Sequence, residues 1–439
     1  MSPFAARRQR SAHVIHKSAP DESALALSLL SSSIHGTKNT KRATREMPLE
    51  YHPPYDLMLC GGGVVGLSIA YECASNGWKV LLVDSGQVGK ESSWAGAGIL
   101  PAGATIEAHD PTEQLRALSH RLHPEWSQRL LEQTGIDNEF RRCGGLYLGM
   151  SPAERATLAA NQMWWDEHGV GFESWSAHEL ATRLPFMHEQ VAVNERLRAW
   201  YVPEDCRVRN PRHIRALVAA CDRLGVTMLE NTCIDNLETH ADRIVSTHSG
   251  GREFHAEKFC VTSGAWASQL LKPIGIETGI LPVRGQMVLY KLDKPLFSMV
   301  INEGHRYLVP RDDGYVLAGS CEEEVGFDHR TTDEMIEPLK QWAVQICPVL
   351  SQAVVARVWS GLRPGSFDTL PYLGTLHPFE NGFVAAGHFR HGLHWSTATG
   401  LLMYQWMSGQ KTEIDLMPFR VQRGQTLGMQ LQPTNHNHS

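Results

Sequence analysis

The sequence predicts an α/β fold, and three observations support that prediction. The apolar run 56–60 has the length of a β-strand, meets a glycine-rich turn at 61–66 and passes directly into a helical pattern. A second strand-like run, 78–84 (WKVLLVD), follows at the distance expected in a βαβ unit. Helical spacing over 211–224 begins at a proline and is followed by a short strand at 226–229, which predicts another βα unit.

The glycine-rich turn has the G-x-G-x-x-G spacing between a strand and a helix, where that spacing favours binding of a dinucleotide. Gly61 permits the tight turn, Gly63 lets the backbone approach a pyrophosphate, and Gly66 lets the helix pack closely on the strand. The N–H groups at the start of the helix then hold the phosphates. Asp84 ends the next strand, 18 residues after Gly66, and its carboxylate is placed to accept hydrogen bonds from a ribose. The alternative is a structural turn followed by a surface aspartate.

Composition is typical of a soluble globular protein with reduced cysteines. Of the 439 residues, 42% are hydrophobic and 20% charged, so we expect two or three domains with a large core that needs no disulfide or metal support. The nine cysteines are an odd number, are widely scattered and form no C-x-x-C pair. This pattern favours free thiols and a cytoplasmic location.

The distribution of charge argues against nucleic acid and membrane partners. Residues 1–46 contain eight Lys or Arg and three acidic residues, a local charge of +5, so the total of −6 leaves −11 for the remainder. An acidic body is a poor partner for nucleic acid or anionic lipid. The longest apolar stretch, 57–71, contains four glycines and is shorter than the roughly 20 residues that a membrane span needs, so no transmembrane helix is expected.

The two ends of the chain lack a core-forming pattern. We expect residues 1–50 to form a disordered extension, because the segment is rich in Ser and Arg and shows no hydrophobic period. A targeting segment is one alternative, and a natural start at Met47 is another. We expect residues 426–439 to be a flexible tail; metal binding by its two histidines is the alternative to simple fraying.

Three later segments carry a resemblance to a known family: 359–365 (WSGLRPG), 370–374 (LPYLG) and 386–392 (AGHFRHG). With the glycine-rich turn, they make the chain, from about residue 55 to about residue 422, resemble the D-amino-acid oxidase superfamily of flavoenzymes, and most of all the glycine oxidases of thiamine biosynthesis. The resemblance implies hydride transfer to flavin from glycine or another small amino acid or secondary amine. The imine then hydrolyses to a keto acid (glyoxylate from glycine) and ammonia, and oxygen is reduced to hydrogen peroxide.

Without the resemblance, the residues do not distinguish FAD from NAD as the cofactor. They also do not show whether segment 89–99 is a flavin-contacting loop or a flexible linker. The resemblance implies FAD. We expect non-covalent attachment, because the cysteine nearest to the flavin, Cys321, lies in what resembles a solvated strand end. The implied FAD contacts are Gly61, Gly63, Val64, Val65, Gly66, Asp84, Ser85, Ser92, Ser93, Ala97, Gly98, Ser263, Gly264, Trp266, Gly387, His388, Arg390, Gly392 and Leu393.

The resemblance also implies two interleaved domains. One is a discontinuous, Rossmann-like FAD-binding domain, and the other is a mixed substrate domain whose antiparallel sheet covers the flavin. The expected FAD-binding segments are 51–136, 198–280 and 355–425, and the expected substrate-domain segments are 137–197 and 281–354.

The substrate contacts implied by the resemblance are chemically reasonable for an amino acid. A planar guanidinium binds a carboxylate through two hydrogen bonds, and Arg363 resembles the family's carboxylate-binding arginine. Tyr307 resembles a pocket tyrosine that donates to the same carboxylate, and Arg390 a second active-site arginine near flavin and substrate. His305 resembles a further pocket residue. The alternatives are a surface salt bridge for Arg363, a core position for Tyr307 and an exposed strand position for His305.

The segment after Arg390 departs from the family pattern. The run His391-Gly392-Leu393-His394-Trp395 replaces the usual Asn-Gly and small aliphatic residues. We predict a helix over 396–407, capped by Ser396 or Thr397 or used to stabilise negative charge on the flavin. Trp395 either narrows the pocket beside the flavin or packs into the core. No carboxylate or cysteine accompanies the two histidines at ligand spacing, so no metal site is predicted.

Three rival functions remain. A D-amino acid dehydrogenase that passes electrons to a quinone would need an amphipathic docking helix, and no basic one is evident. A flavin-dependent tRNA-modification module would need a basic stripe, whereas residues 47–439 carry about −11. A non-catalytic flavin-binding scaffold would not need Arg363 and Tyr307. The expected partners are therefore a small amino acid and oxygen, with no nucleic acid and no membrane, and homo-oligomerisation is left open.

Overall fold

The computed structural model describes residues 54–194 and 196–423, so the predictions for residues 1–50 and 426–439 lie outside the described residues. None of the described helices is both long and apolar enough to cross a membrane. The helices are α1 (Val64–Ser75), α2 (Ser92–Ala95), α3 (Pro111–Thr134), α4 (Pro152–Glu167), α5 (Ala177–Arg183), α6 (His188–Val193), α7 (Asn210–Arg223), α8 (Ala267–Leu271), α9 (Asp333–Ile346) and α10 (Gly392–Met407).

The described strands form four sheets. The strands are β1 (Leu57–Cys60), β2 (Val80–Val83), β3 (Ile99–Leu100), β4 (Arg141–Arg142), β5 (Gly145–Gly149), β6 (Glu173–Trp175), β7 (Arg198–Val202), β8 (Cys206–Arg207), β9 (Thr227–Leu229), β10 (Asn236–His240), β11 (Arg243–Ser249), β12 (Arg252–Phe254), β13 (Lys258–Val261), β14 (Leu281–Lys291), β15 (Val300–Glu303), β16 (Arg306–Pro310), β17 (Tyr315–Gly319), β18 (Val354–Gly365), β19 (Tyr372–Thr375) and β20 (Gly382–Ala386).

The first sheet of the described chain has six strands in the order β19-β20-β13-β1-β2-β9, all parallel except the edge strand β19. Strands β1 and β2 are buried throughout, as expected when both faces of a parallel sheet are covered. Leu57 and Leu59 pack under α1, α3, α7 and α10, whereas Met58 and Cys60 face the core shared with the small sheet β10-β11-β12. The strand, glycine turn and helix predicted at the start are therefore confirmed.

The second large sheet within the described residues has eight strands in the order β18-β14-β17-β16-β15-β5-β7-β6, and the only parallel pair among them is β15 with β5. Helix α9 covers one face, where Ile336, Leu339 and Trp342 are buried. Side chains of the other face, including Met287 and Leu317, meet the segment that follows α2. The predicted α/β fold with an additional, mostly antiparallel sheet is confirmed.

Helix α10 begins earlier than predicted. It starts at Gly392, four residues before the predicted start, and it has no side-chain cap. Ser396 Oγ donates to the Leu393 carbonyl of the same helix at 2.8 Å, and Thr397 Oγ1 donates to the Ser119 carbonyl of α3 at 3.4 Å, so neither hydroxyl caps α10. The prediction that either residue caps the helix is wrong.

Trp395 belongs to the core and not to the pocket. Its side chain is 1% exposed and packs in the same cluster as Tyr71 and Trp126. One face of the indole stacks on His391, with 4.4 Å between the ring centroids. The predicted pocket role of Trp395 is therefore wrong, because its position on α10 turns the ring away from the cavity and towards α1 and α3.

Three histidines are buried together between α3, α7 and α10. The rings of His123 and His213, and those of His123 and His394, have centroids 6.1 Å apart. Asn138 Nδ2 donates to His213 Nδ1 at 3.1 Å, and His123 Nε2 donates to the His394 carbonyl at 2.8 Å. Burial lowers the pKa of His123 to about 4 and that of His213 to about 3, so both rings are neutral in the folded protein at neutral pH.

This burial predicts a loss of stability in mild acid. The folded pKa of His213 lies below the unfolded value, so its contribution is complete above pH 6.5 and is lost as the pH falls towards 3. Below about pH 6, each such histidine makes the free energy of unfolding fall by about 1 kcal/mol per pH unit. Urea unfolding between pH 7 and pH 5 should show a correspondingly smaller slope for His213→Gln. The exposed His178→Gln is the control, and an equal slope for both variants would contradict the explanation.

Candidate functional site

A cavity of about 1020 Å³ is lined both by the carboxyl ends of the six-stranded sheet and by the eight-stranded sheet. Most predicted site residues line it. Gly66, Gly387 and His388 do not, and they lie behind its wall. The predicted residues on the wall are Gly61, Gly63, Val64, Val65, Asp84, Ser85, Ser92, Ser93, Ala97, Gly98, Ser263, Gly264, Trp266, His305, Tyr307, Arg363, Arg390, Gly392 and Leu393.

The glycine turn after β1 is held by close backbone packing. Gly61 has a φ of +125°, and a Cβ there would stand 2.5 Å from the Thr262 carbonyl oxygen at the end of the neighbouring strand β13. A Cβ on Gly66 would stand 2.1 Å from the Gly61 oxygen, so the first turn of α1 rests directly on the turn that precedes it. Gly66 therefore sets the position of helix α1 and does not itself line the cavity. The positive end of α1 is thereby aimed into the cavity.

Asp84, at the end of β2, stabilises this turn through hydrogen bonds to backbone N–H groups. One carboxylate oxygen accepts from the Gly62 N–H at 2.7 Å, and the other accepts from the Gly86 N–H at 2.8 Å. Ser93 Oγ accepts from the Val64 N–H at 2.8 Å, at the first turn of α1. A helix N-terminus, a glycine wall and a carboxylate at the end of the second strand fit a dinucleotide.

Segment 89–98 is an anchored wall of the cavity and not a flexible linker. Asn210 Nδ2 donates to the Ser93 carbonyl at 2.9 Å and Trp359 Nε1 donates to the Ala95 carbonyl at 3.0 Å. Ser92 Oγ donates to the Leu362 carbonyl on β18. The segment is therefore attached to β18 of the eight-stranded sheet and to α7.

Arg311 supplies a further anchor that the sequence analysis did not assign. Its guanidinium donates to the Ala97 carbonyl at 2.7 Å and to the Val208 carbonyl at 3.0 Å. Burial and two neighbouring arginines lower its pKa to about 9. The sequence places Arg311 at the end of a strand-like motif but does not show what it contacts, because both partners are more than 100 residues away.

Arg363 lies at the opposite end of the cavity, on β18. Its guanidinium donates to Ser320 Oγ at 2.6 Å and to the Cys321 carbonyl at 3.1 Å, both of them neutral acceptors. It forms no ion pair with any carboxylate of the described residues. A Cβ on Gly285 of the adjacent strand β14 would stand 2.3 Å from both terminal nitrogens, so the guanidinium lies flat on this glycine.

Tyr307 reaches the same cavity from β16. A Cβ on Gly319, its cross-strand partner on β17, would stand 2.5 Å from the tyrosine ring. The hydroxyl donates to Met287 Sδ at 3.6 Å, a weak acceptor that a carboxylate oxygen can replace. The sequence pattern did not identify Gly285 and Gly319, although a glycine within a predicted strand signals a close approach of this kind.

Arg390 already has a carboxylate partner, in an ion pair that is partly exposed to solvent. Its guanidinium pairs with the Glu322 carboxylate at 2.6 Å and lies 4.9 Å from the centre of the Phe389 ring. The next residues, from His391 to His394, all line the cavity at the first turn of α10. Burial lowers the pKa of His391 to about 3 and that of His394 well below its usual value, so neither ring is a cation at neutral pH.

Segment 320–323 contains the site residues that the sequence analysis missed. Ser320 is 5% exposed and contacts Arg363, whereas Glu322 and Glu324 are exposed, so the expected solvated strand end is solvated only in part. Glu322 lines the cavity, whereas Cys321 Sγ donates to Glu323 at 3.3 Å and does not line it. The sequence feature that could have identified these residues is the run of polar residues directly after the buried strand β17.

These features define an α/β protein with two large sheets, whose cavity fits a dinucleotide cofactor. Residues 56–406 match the DAO family of FAD-dependent oxidoreductases, and the chain belongs to this family. A glycine oxidase of Pseudomonas aeruginosa is 33% identical over 364 residues, covering 83% of this chain and 97% of that protein. A glycine oxidase of Pseudomonas putida is 32% identical over 371 residues, which cover 83% of this chain and 97% of that one. The crystal structure of glycine oxidase from Geobacillus kaustophilus matches with a TM-score of 0.79 and 30% identity, covering 84% of this chain and 98% of that one. The cofactor of this chain is therefore FAD.

The position of Gly285 under Arg363 predicts a specific defect. In Gly285→Ala the new methyl group overlaps the guanidinium, so Arg363 has to move while the FAD end of the cavity is unchanged. We expect FAD content to be retained and the affinity for acetate, measured from the visible flavin spectrum, to fall at least about 10-fold. Gly171→Ala is the control, because nothing lies within 4 Å of its added Cβ. Equal acetate affinity in both variants would show that Arg363 does not bind carboxylates.

Proposed function

We propose that the protein oxidises a small α-amino acid or secondary amine, such as glycine or sarcosine, with oxygen as the electron acceptor. The observation that carries the proposal is Arg363, a guanidinium on the cavity wall whose partners among the described residues are neutral. A carboxylate is the group that such a planar, unneutralised cation binds best. The names of the relatives agree with a small amino acid as the substrate.

The proposed binding arrangement follows from the cavity wall. In this proposal the first turn of α1, near Gly63, would hold the diphosphate of FAD, and Asp84 would hold the ribose. Arg363 and Tyr307 hold the substrate carboxylate on the eight-stranded sheet. Because both side chains and the glycine turn line one cavity, substrate and cofactor meet there. When bound, FAD supplies the two-electron acceptor for the hydride of the substrate Cα.

The protein contributes orientation and not acid–base chemistry. Arg363 and Tyr307 fix the carboxylate, which leaves the Cα–H bond one orientation relative to the cofactor. The lowered pKa of His391, about 3, makes this ring a weak base. In this proposal the substrate therefore reacts with its amine unprotonated, and no protein base is used. In the net reaction the C–H and N–H bonds of the amine lose two electrons and two protons, which reduce oxygen to hydrogen peroxide. Water then hydrolyses the imine to ammonia or an amine and a keto acid, which is glyoxylate when glycine is the substrate.

Anaerobic reduction tests this function directly. Purified holoenzyme is mixed without oxygen with glycine, sarcosine, D-alanine or D-proline, and the flavin absorbance is recorded. We expect bleaching by at least one of them, and full return of colour with release of hydrogen peroxide when oxygen is admitted. The absence of bleaching by all four would remove the proposed substrate class. Bleaching without recovery in oxygen would favour a dehydrogenase that uses another acceptor.

Arg363 should supply most of the carboxylate affinity. A buried, charge-assisted pair of this kind contributes about 2 to 4 kcal/mol, so Arg363→Ala should weaken substrate binding about 30-fold or more while FAD is retained. Arg363→Lys should restore only part of the affinity, because an ammonium lacks the planar fork. Arg215→Ala, an exposed substitution on α7, is the control. An unchanged KM in Arg363→Ala would assign Arg363 to structure alone.

A further inference from the structure

Arg363 and Arg390, two of the three arginines among the described residues that line the cavity, both contact the short segment 320–322, whereas the guanidinium of the third, Arg306, lies 5.9 Å from the centre of the Trp342 ring. Arg363 donates to Ser320 and Cys321, whereas Arg390 is paired with Glu322 at 2.6 Å. Ser320 and Glu322 are two residues apart, so their Cα atoms are separated by at most about 7 Å. The two cations therefore bind neighbouring points of one wall, but only the first has neutral partners.

The backbone at Glu322 is held in place by the residue that follows it. Arg284, whose side chain is 4% exposed, donates to both carboxylate oxygens of Glu323, at 2.8 and 3.1 Å. The backbones of Arg284 and Glu323 also exchange two hydrogen bonds, at 2.8 and 3.0 Å. The guanidinium holds the pKa of Glu323 below its usual value, so the pair stays charged at neutral pH. Glu322 is thus fixed next to an anchored residue and does not lie on a free loop.

Arg363 and Arg390 differ in what they offer a substrate carboxylate. Arg363 offers a positive charge with neutral partners, whereas Arg390 is already paired with Glu322, in an ion pair whose side chains are 44% and 37% exposed. A second carboxylate on the substrate would meet Glu322 and would have to displace it from Arg390, at the cost of repulsion between like charges. A neutral small side chain meets no such cost.

We infer that Glu322 is a specificity-determining residue that restricts this enzyme to amines with a single carboxylate. This inference rests on the proposed function, in which Arg363 binds the first carboxylate. Dicarboxylic amines, such as D-aspartate and iminodiacetate, are then excluded by charge and not by size. Removal of the charge of Glu322 should release Arg390 for the second carboxylate.

The test compares wild type, Glu322→Gln and the control Glu324→Gln as FAD-loaded enzymes. Glu324 is an exposed glutamate two residues away that does not line the cavity. For each enzyme, kcat/KM is measured for iminodiacetate, D-aspartate and glycine. We expect the ratio of either dicarboxylic amine to glycine to rise at least 10-fold in Glu322→Gln and to stay unchanged in Glu324→Gln. Equal ratios in the two variants would overturn the inference.

A binding measurement separates this inference from the proposed function. Malonate and acetate, which are not oxidised, are titrated into each enzyme and followed through the visible flavin spectrum. We expect Glu322→Gln to bind malonate at least 10-fold more tightly relative to acetate, and Glu322→Gln combined with Arg390→Gln to lose that gain. A gain that persists in the double variant would overturn the role of Arg390. Failure of wild type to oxidise any amine would refute the proposed function, and the malonate-to-acetate ratio would still test Glu322. If Glu322→Gln does not retain FAD, Glu322→Ala gives the same comparison.

Discussion

The hydrogen bonds of residues 92–97 join strand β18 of the eight-stranded sheet to the first turn of α1, the helix that follows β1 of the six-stranded sheet. Ser92 donates to β18, the carbonyl of Ala95 accepts from Trp359 of the same strand, and that of Ala97 accepts from Arg311 next to β16. On the other side, Ser93 caps the first turn of α1. The glycine-rich end of the six-stranded sheet is therefore placed opposite the arginine-bearing strand β18, and the cavity lies where the two meet.

The site depends on how its cations are partnered. Arg311 is buried with carbonyl acceptors alone, and burial accordingly lowers its pKa to about 9, which is the electrostatic cost of anchoring residues 92–97. Arg284 and Arg390 both have carboxylate partners, in a largely buried pair for Arg284 and a partly exposed pair for Arg390. Arg363 has neutral partners and lies on the cavity wall, so an incoming carboxylate can supply the missing charge. A bound substrate carboxylate thus forms an ion pair with Arg363, which has no carboxylate partner among the described residues.

Glycines make this arrangement sterically possible. The guanidinium of Arg363 lies where a side chain on Gly285 would be, and the ring of Tyr307 lies where a side chain on Gly319 would be. Both glycines are in strands, where glycine weakens the sheet. Because neither has a side chain, the polar group of the neighbouring residue fits beside it and faces the cavity. The histidines at the start of α10 add no positive charge to that end of the cavity. Burial lowers the pKa of His391 and of His394, so both rings are neutral at neutral pH.

The sequence by itself determined the elements whose signals are local. The strand, glycine turn and helix over 57–75 follow from hydrophobic period and glycine spacing, and the resemblance of segments such as 359–365 led to the family and to FAD. Only the tertiary structure decided the orientation of Trp395, the partner of Arg390 and the role of Gly285. The reason is physical: Trp395 belongs to the core because of how α10 packs on α1 and α3, and Arg390 is paired with a residue 68 positions earlier in the chain. Contacts of that kind are set by how sheets and helices pack, and they leave no period or spacing in the sequence.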